Sequence, residues 1–193
     1  MGFRFSPDRV AYFEANGWRA YYDRAWFRLL RLIVQLCHEQ FRIPHPVSLL
    51  AAYYVVRASA AWVPIDHDET KVRHYYELFY RLARRFSGLR FDPTRAAELE
   101  LEYNDVHRRL VGQPDKREFV ETMVQLHAAI FGITPEQARE SAELRVAANN
   151  TVDTITGRTA PDPEAAWRTL EEQLRGCYRS IQAAIETPSA SSS

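Results

Sequence analysis

TPEQARESAELRVAANNTVDTITG, residues 134–157, is the stretch whose reading decides the fold. Thr134 followed by Pro135 is a helix-start signal, because threonine caps the first free N–H groups and proline is pre-set for the first helical position. Gly157 is a natural stop, so the helix should end near Thr156. Between these marks Leu144, Ala148, Val152 and Ile155 recur at steps of three and four, the period of one apolar helical stripe. A second row, Arg145, Asn149 and Asp153 with Asn150 beside it, runs at i, i+4, i+8. Asn and Asp are poor interior helix residues. Their presence mid-helix points to a tertiary role: a buried polar network, a subunit contact or a pocket wall.

The same punctuation repeats in both directions. Asp162-Pro163 starts the last helix, with Trp167, Leu170, Leu174, Cys177, Tyr178, Ile181 and Ile185 as its apolar face, and a Ser-rich tail at 188–193 is expected to be disordered. Upstream, Asp115 opens a helix that ends before Gly132, Asp92-Pro93 one that ends near Gly112, and Asp66-His67-Asp68 one that Gly88 stops. Pro46 and Pro64 bracket Val47 to Val63, the most apolar segment. It falls short of the roughly 20 residues of a membrane span and carries Arg57 near its middle, so it reads as a central helix surrounded by its neighbours. A long helix from near Trp18 precedes it, and Ser6-Pro7-Asp8 opens a short one that Asn16-Gly17 should interrupt. The expectation is an all-α, single-domain bundle of about seven main helices over residues 1–187, its short connections favouring antiparallel neighbours.

Composition narrows the function classes. With 193 residues, 46% of them hydrophobic, the chain can bury a real core. Basic and acidic residues balance at 25 each, so no overall field recruits nucleic acid or an anionic membrane. All of the 25 basic residues except Lys71 and Lys116 are arginine, as GC-rich bacterial codon usage produces. Cys37 and Cys177 lie far apart inside helical patterns and read as reduced core thiols, which together with the absence of an apolar leader suggests the cytoplasm.

Polar side chains on apolar faces are the candidate functional residues. Arg57, mid-way along the most apolar helix, must snorkel out, meet a carboxylate or bind an anionic ligand. In AAELELEYNDVHRRL, residues 96–110, Glu100, Tyr103 and His107 share one side at i, i+3 and i+7, a set able to ligate a metal or relay a proton, or simply to flank a solvated face. His127 sits four residues from Met123 on a strongly apolar helix, where a satisfied core histidine competes with a ligand. Tyr54, with Tyr53, Tyr75, Tyr76, Tyr80 and Tyr103, could line an aromatic pocket whose polarity comes from Arg57, Arg145, Asn149 and Asp153.

Known chemistry motifs are missing. No Glu-x-x-His pair of a carboxylate-bridged di-iron bundle occurs, no Cys-x2-Cys or His-x3-His suggests zinc, and no glycine-rich loop suits a nucleotide phosphate. No cofactor can be named. The leading expectation is a helical protein that binds a small molecule or a protein partner through that pocket. The alternatives are a metal-dependent oxidase or oxygenase using Glu100, His107 and carboxylates such as Glu121, Glu143 or Asp153, and a homo-oligomeric structural subunit.

Overall fold

The computed structural model describes residues 2–187, so the expected disordered tail at 188–193 lies outside the described residues. Eight helices, and no strand among the described residues, make up the chain: α1 (Pro7–Tyr22), α2 (Trp26–Phe41), α3 (His45–Trp62), α4 (Glu69–Ser87), α5 (Pro93–Leu110), α6 (Arg117–Phe131), α7 (Pro135–Thr156) and α8 (Pro163–Glu186). None of them is long and apolar enough to cross a membrane.

The caps carry out the punctuation. Side chains of Ser6, Asp68, Asp92 and Asp162 accept from the first free N–H groups of α1, α4, α5 and α8. At α7 the Thr134 hydroxyl accepts from Gln137 N while the Gln137 side chain accepts from Thr134 N at 2.9 Å, a reciprocal capping box. Gly88 and Gly132 end α4 and α6 at φ 79° and 66°, a left-handed conformation that a Cβ would strain.

The eight helices are close to the expected seven main ones plus a short first one, but the first break falls elsewhere, which gives α1 and α2 equal length. Asn16-Gly17 does not interrupt α1: the Asn16 amide donates back to Tyr12 O at 2.9 Å and accepts from Arg28 at 3.0 Å, so it is satisfied within the helix. The chain turns instead at Asp23–Ala25, where Arg24 takes a left-handed φ of 56°.

Each helix packs on the next in sequence, and α8 packs back on α1, so the contacts close into a ring. Long side chains fill its middle. The extended N-terminal segment ties the ring across, with Phe5 N donating to Gln182 on α8 and its ring lying 6.2 Å from Phe131 on α6 and 6.0 Å from Tyr178 on α8. Cys37 and Cys177 are free and buried, and burial pushes each thiol up to about 12.

The α3 helix is not central. It packs mainly on α2 and α4, burying its small residues Ser48, Ala51, Ala52 and Ala58 and leaving Leu49, Leu50, Tyr53 and Val56 exposed. A helix that is apolar all round has no periodicity to say which side is covered. Its C-terminal end is held by Arg108 of α5, whose guanidinium lies 3.6 Å from the Trp62 ring centre and donates to Trp62 O at 2.7 Å and Pro64 O at 3.2 Å. Trp62 O is otherwise an orphan of the helix end, while Pro64 O is also met by His67 Nδ1 at 3.1 Å. Replacing Arg108 by Ala should therefore cost about 1–3 kcal/mol, the worth of charge-assisted hydrogen bonds plus stacking, in a urea-unfolding measurement.

Candidate functional site

Inside the ring the polar side chains form a main network around Arg145, with a smaller cluster around Glu100 and a His107–Asp153 pair beside it. Glu14 of α1, a buried carboxylate, pairs with Arg145 of α7 at 2.6 Å and accepts the Tyr178 hydroxyl of α8. Arg145 also donates to the Tyr178 oxygen at 3.4 Å and lies 5.0 Å from the Trp18 ring and 6.0 Å from that of Tyr103. One turn on, Asn149 is 3% exposed; its oxygen accepts from the Tyr103 hydroxyl of α5 at 3.0 Å and its nitrogen donates to Arg145 O at 2.9 Å. The mid-helix asparagine is thus satisfied on both sides. It links α5 to α7 where the two helices do not meet directly.

Glu100 accepts the Tyr80 hydroxyl at 2.7 Å. Burial raises its carboxyl above the usual range, against the opposing pull of the Tyr80 hydrogen bond and the Arg145 charge. Beside it, Asn104 donates to Tyr76 at 3.1 Å and to Glu100 O at 2.7 Å. At the wetter end His107 Nε2 meets both Asp153 oxygens at 3.2 Å, with its ring stacked 5.1 Å from Phe119. Tyr22, about half exposed, borders this pair, and burial together with the Asp153 charge pushes its hydroxyl up to about 12.

His127 forms a separate unit. The Ser141 hydroxyl donates to Ala138 O at 2.9 Å, so its oxygen is left to accept from His127 Nδ1–H at 2.8 Å, which fixes the tautomer. Burial, aided by the Arg145 charge, pushes the imidazole down to about 3, so it is neutral.

The predicted residues therefore divide. Glu100, Tyr103, Arg145 and Asn149 line the interior with Tyr76 and Tyr80, and His107 and Asp153 pair at its edge. Arg57 is elsewhere: its guanidinium rests 5.1 Å from the Tyr75 ring and 5.8 Å from that of Tyr53 on the outer side of α3, and it meets no carboxylate among the described residues. Snorkelling along an aromatic face satisfies it. Tyr54 lies against Tyr53 at 5.8 Å and joins no hydrogen bond of the network. The expected single aromatic pocket is thus split between the interior and the outside of α3.

The proposed metal ligands do not assemble. Glu100 is taken by Tyr80, His107 by Asp153, and Glu121 pairs on the surface with Arg139 at 2.9 Å. Among the described residues no group of three or more His, Cys, Asp and Glu side chains is placed to share an ion. Two open surface clefts, about 730 Å³ beside Asp115, Glu121 and Arg139 and about 280 Å³ beside Glu98, Glu102 and Arg109, lie outside the network and are lined by mixed charges.

Glu14 and Tyr178 were not singled out as site residues from the sequence, whereas Tyr80 was expected only as a pocket-lining aromatic and not as the partner of Glu100. Glu14 had a signal, since with Val10 and Gly17 it sits at i, i+4, i+7 on a stripe otherwise made of small apolar residues. Comparison with family models, curated proteins and solved structures finds no match to this chain.

Two measurements check these assignments. Glu14→Gln or Arg145→Met alone should cost about 3–5 kcal/mol by leaving a buried charge or its partners unmatched, whereas Glu14→Leu with Arg145→Met should recover most of that loss. For His127, the unfolded chain takes up a proton near the ordinary pKa and the folded chain only near about 3. Its contribution is full above the ordinary value and is lost as pH falls between the two, at up to ~1.4 kcal/mol per pH unit. His127→Gln should flatten the stability–pH curve over that window, whereas Glu100, shifted the other way, destabilises as pH rises.

Proposed function

We propose that the chain is a binding protein whose site is the polar interior of the helical ring, entered beside His107, Asp153 and Tyr22. The observation that carries this reading is Arg145. In a network where the other side chains are matched, its buried Nε finds no acceptor among the described residues. Buried donors are nearly always satisfied, and an exception in a functional interior marks where a ligand acceptor belongs.

The surroundings restrict what such a ligand is. Glu14 neutralises the guanidinium at 2.6 Å, which favours a neutral acceptor over an anion. Trp18 and Tyr103 stand within 6.0 Å of the guanidinium, so the walls are aromatic. A small, uncharged, planar molecule bearing a carbonyl fits that chemistry. The acids and imidazoles at hand already have partners, and no reaction is assigned to them.

A thermal-shift panel of aromatic amides, lactams and quinones tests the proposal. At about 100 times its Kd a true ligand stabilises by ~2.7 kcal/mol and should raise Tm by roughly 5–10 °C. Tyr103→Phe and Asp153→Asn should each at least halve that rise. A panel with no member that raises the Tm of the native chain would count decisively against the proposal.

A further inference from the structure

Away from the interior, α2 and α3 present a surface that inverts the usual order of a globular helix pair. On α3, Leu49, Tyr53 and Val56 repeat at i, i+4 and i+7 and face solvent, while Ala51, Ala52 and Ala58 are hidden. On α2, Trp26 and Leu30 are exposed one turn apart, and Phe27 is 95% exposed. The two helices pack on each other, so both exposed rows lie on the outside of the same helix pair. At roughly 150–250 Å² per large aromatic side chain, the three rings alone offer on the order of 400 Å² of apolar surface. That is already the size of a patch that marks an interaction site on a monomer.

The charge carried by α2, α3 and the turn between them is nearly of one sign. From Arg24 to Ile65 the only acidic residue is Glu39, and its carboxylate is turned away to Arg9 at 3.0 Å and to Ser6 N at 3.2 Å. Arg24, Arg28, Arg31 and Arg57 flank the apolar rows, and none of the four forms an ion pair among the described residues; Arg28 contacts the Asn16 amide and Arg57 the Tyr53 hydroxyl. In a chain whose charges balance overall, this is a local basic rim. A two-fold contact with a second copy would set these arginines against one another. Large side chains at helical spacing instead form ridges of the kind that another helix packs upon.

We infer that the α2–α3 face docks an amphipathic helix of a partner protein, its apolar ridge laid on Trp26, Phe27, Leu49 and Tyr53 and its flanks carrying carboxylates that meet the four arginines. Recognition is helix-on-face, with apolar area supplying adhesion and charge supplying selectivity. This surface is separate from the interior site, and either assignment stands or falls without the other.

Three fluorescein-labelled peptides of about 18 residues test it, sharing leucines at i, i+3, i+4 and i+7 and carrying Glu, Gln or Lys on the flanks. Fluorescence anisotropy with the full chain should show the Glu peptide binding at least tenfold tighter than the Gln peptide, with the Lys peptide weakest. That preference should shrink as salt is raised from about 50 to about 300 mM. Phe27→Asp and Leu49→Asp, at exposed positions where no change in melting temperature is expected, should each weaken the Glu peptide at least tenfold. Equal binding of the three peptides, or binding indifferent to both variants, overturns the inference. It is equally overturned if the Glu peptide fails to bind while vesicles of phosphatidylcholine and phosphatidylserine, or a second copy in light scattering, engage the chain in a way that Phe27→Asp abolishes.

Discussion

The contact between Glu14 and Arg145 governs the rest of this molecule. The two charges sit between α1 and α7, helices that reach each other through side chains across the middle of the ring, and the Tyr178 hydroxyl brings α8 to the same point. Taking both ions out of water is expensive, and the expense is met only because Glu14 has two partners and Arg145 lies between aromatic rings. A slip of either helix by one residue would break the pair and leave a buried charge. The ion pair therefore acts as a registration device for the closed ring, and Tyr103 to Asn149 and Tyr80 to Glu100 repeat the same logic with neutral or weakly acidic groups.

This polar centre explains why tyrosine is so common in the interior. A ring of eight helices cannot be filled by leucine alone where opposite helices stand too far apart to touch, and a tyrosine spans that gap while its hydroxyl finds a partner. Tyr103 does so, donating from α5 to Asn149 of α7, while Tyr80 and Tyr178 donate to carboxylates of neighbouring helices and Tyr76 accepts from Asn104; burial raises all four hydroxyls above their ordinary value, so they stay protonated. The interior is thus polar and specific, with no strand and no disulfide among the described residues.

Much of the architecture was legible residue by residue. Ser6-Pro7, Asp92-Pro93, Thr134-Pro135 and Asp162-Pro163 begin helices at the expected places because capping and proline geometry act within a few residues. Asn16-Gly17 misled because the same two residues are tolerated inside a helix once the asparagine amide bonds one turn back and across to Arg28. The off-pattern polar residues of α5 and α7 were also legible, since an Asn or Asp in mid-helix signals a partner. What that partner is was not, because Tyr103 and Asn149 are 46 residues apart in the chain.

Local chemistry by itself determined the helical class, most helix boundaries and the positions where polarity interrupts an apolar stripe, because each depends on interactions within one or two turns. Only the tertiary structure decided that His107 faces Asp153, that Glu14 completes Arg145, and that Arg57 lies outside on tyrosine rings. It also decided that α3, the most apolar helix, sits at the edge with its large side chains in water. Hydrophobicity states how much surface a helix wants to cover; which neighbour covers it is settled by the closure of α8 on α1, a contact between opposite ends of the chain.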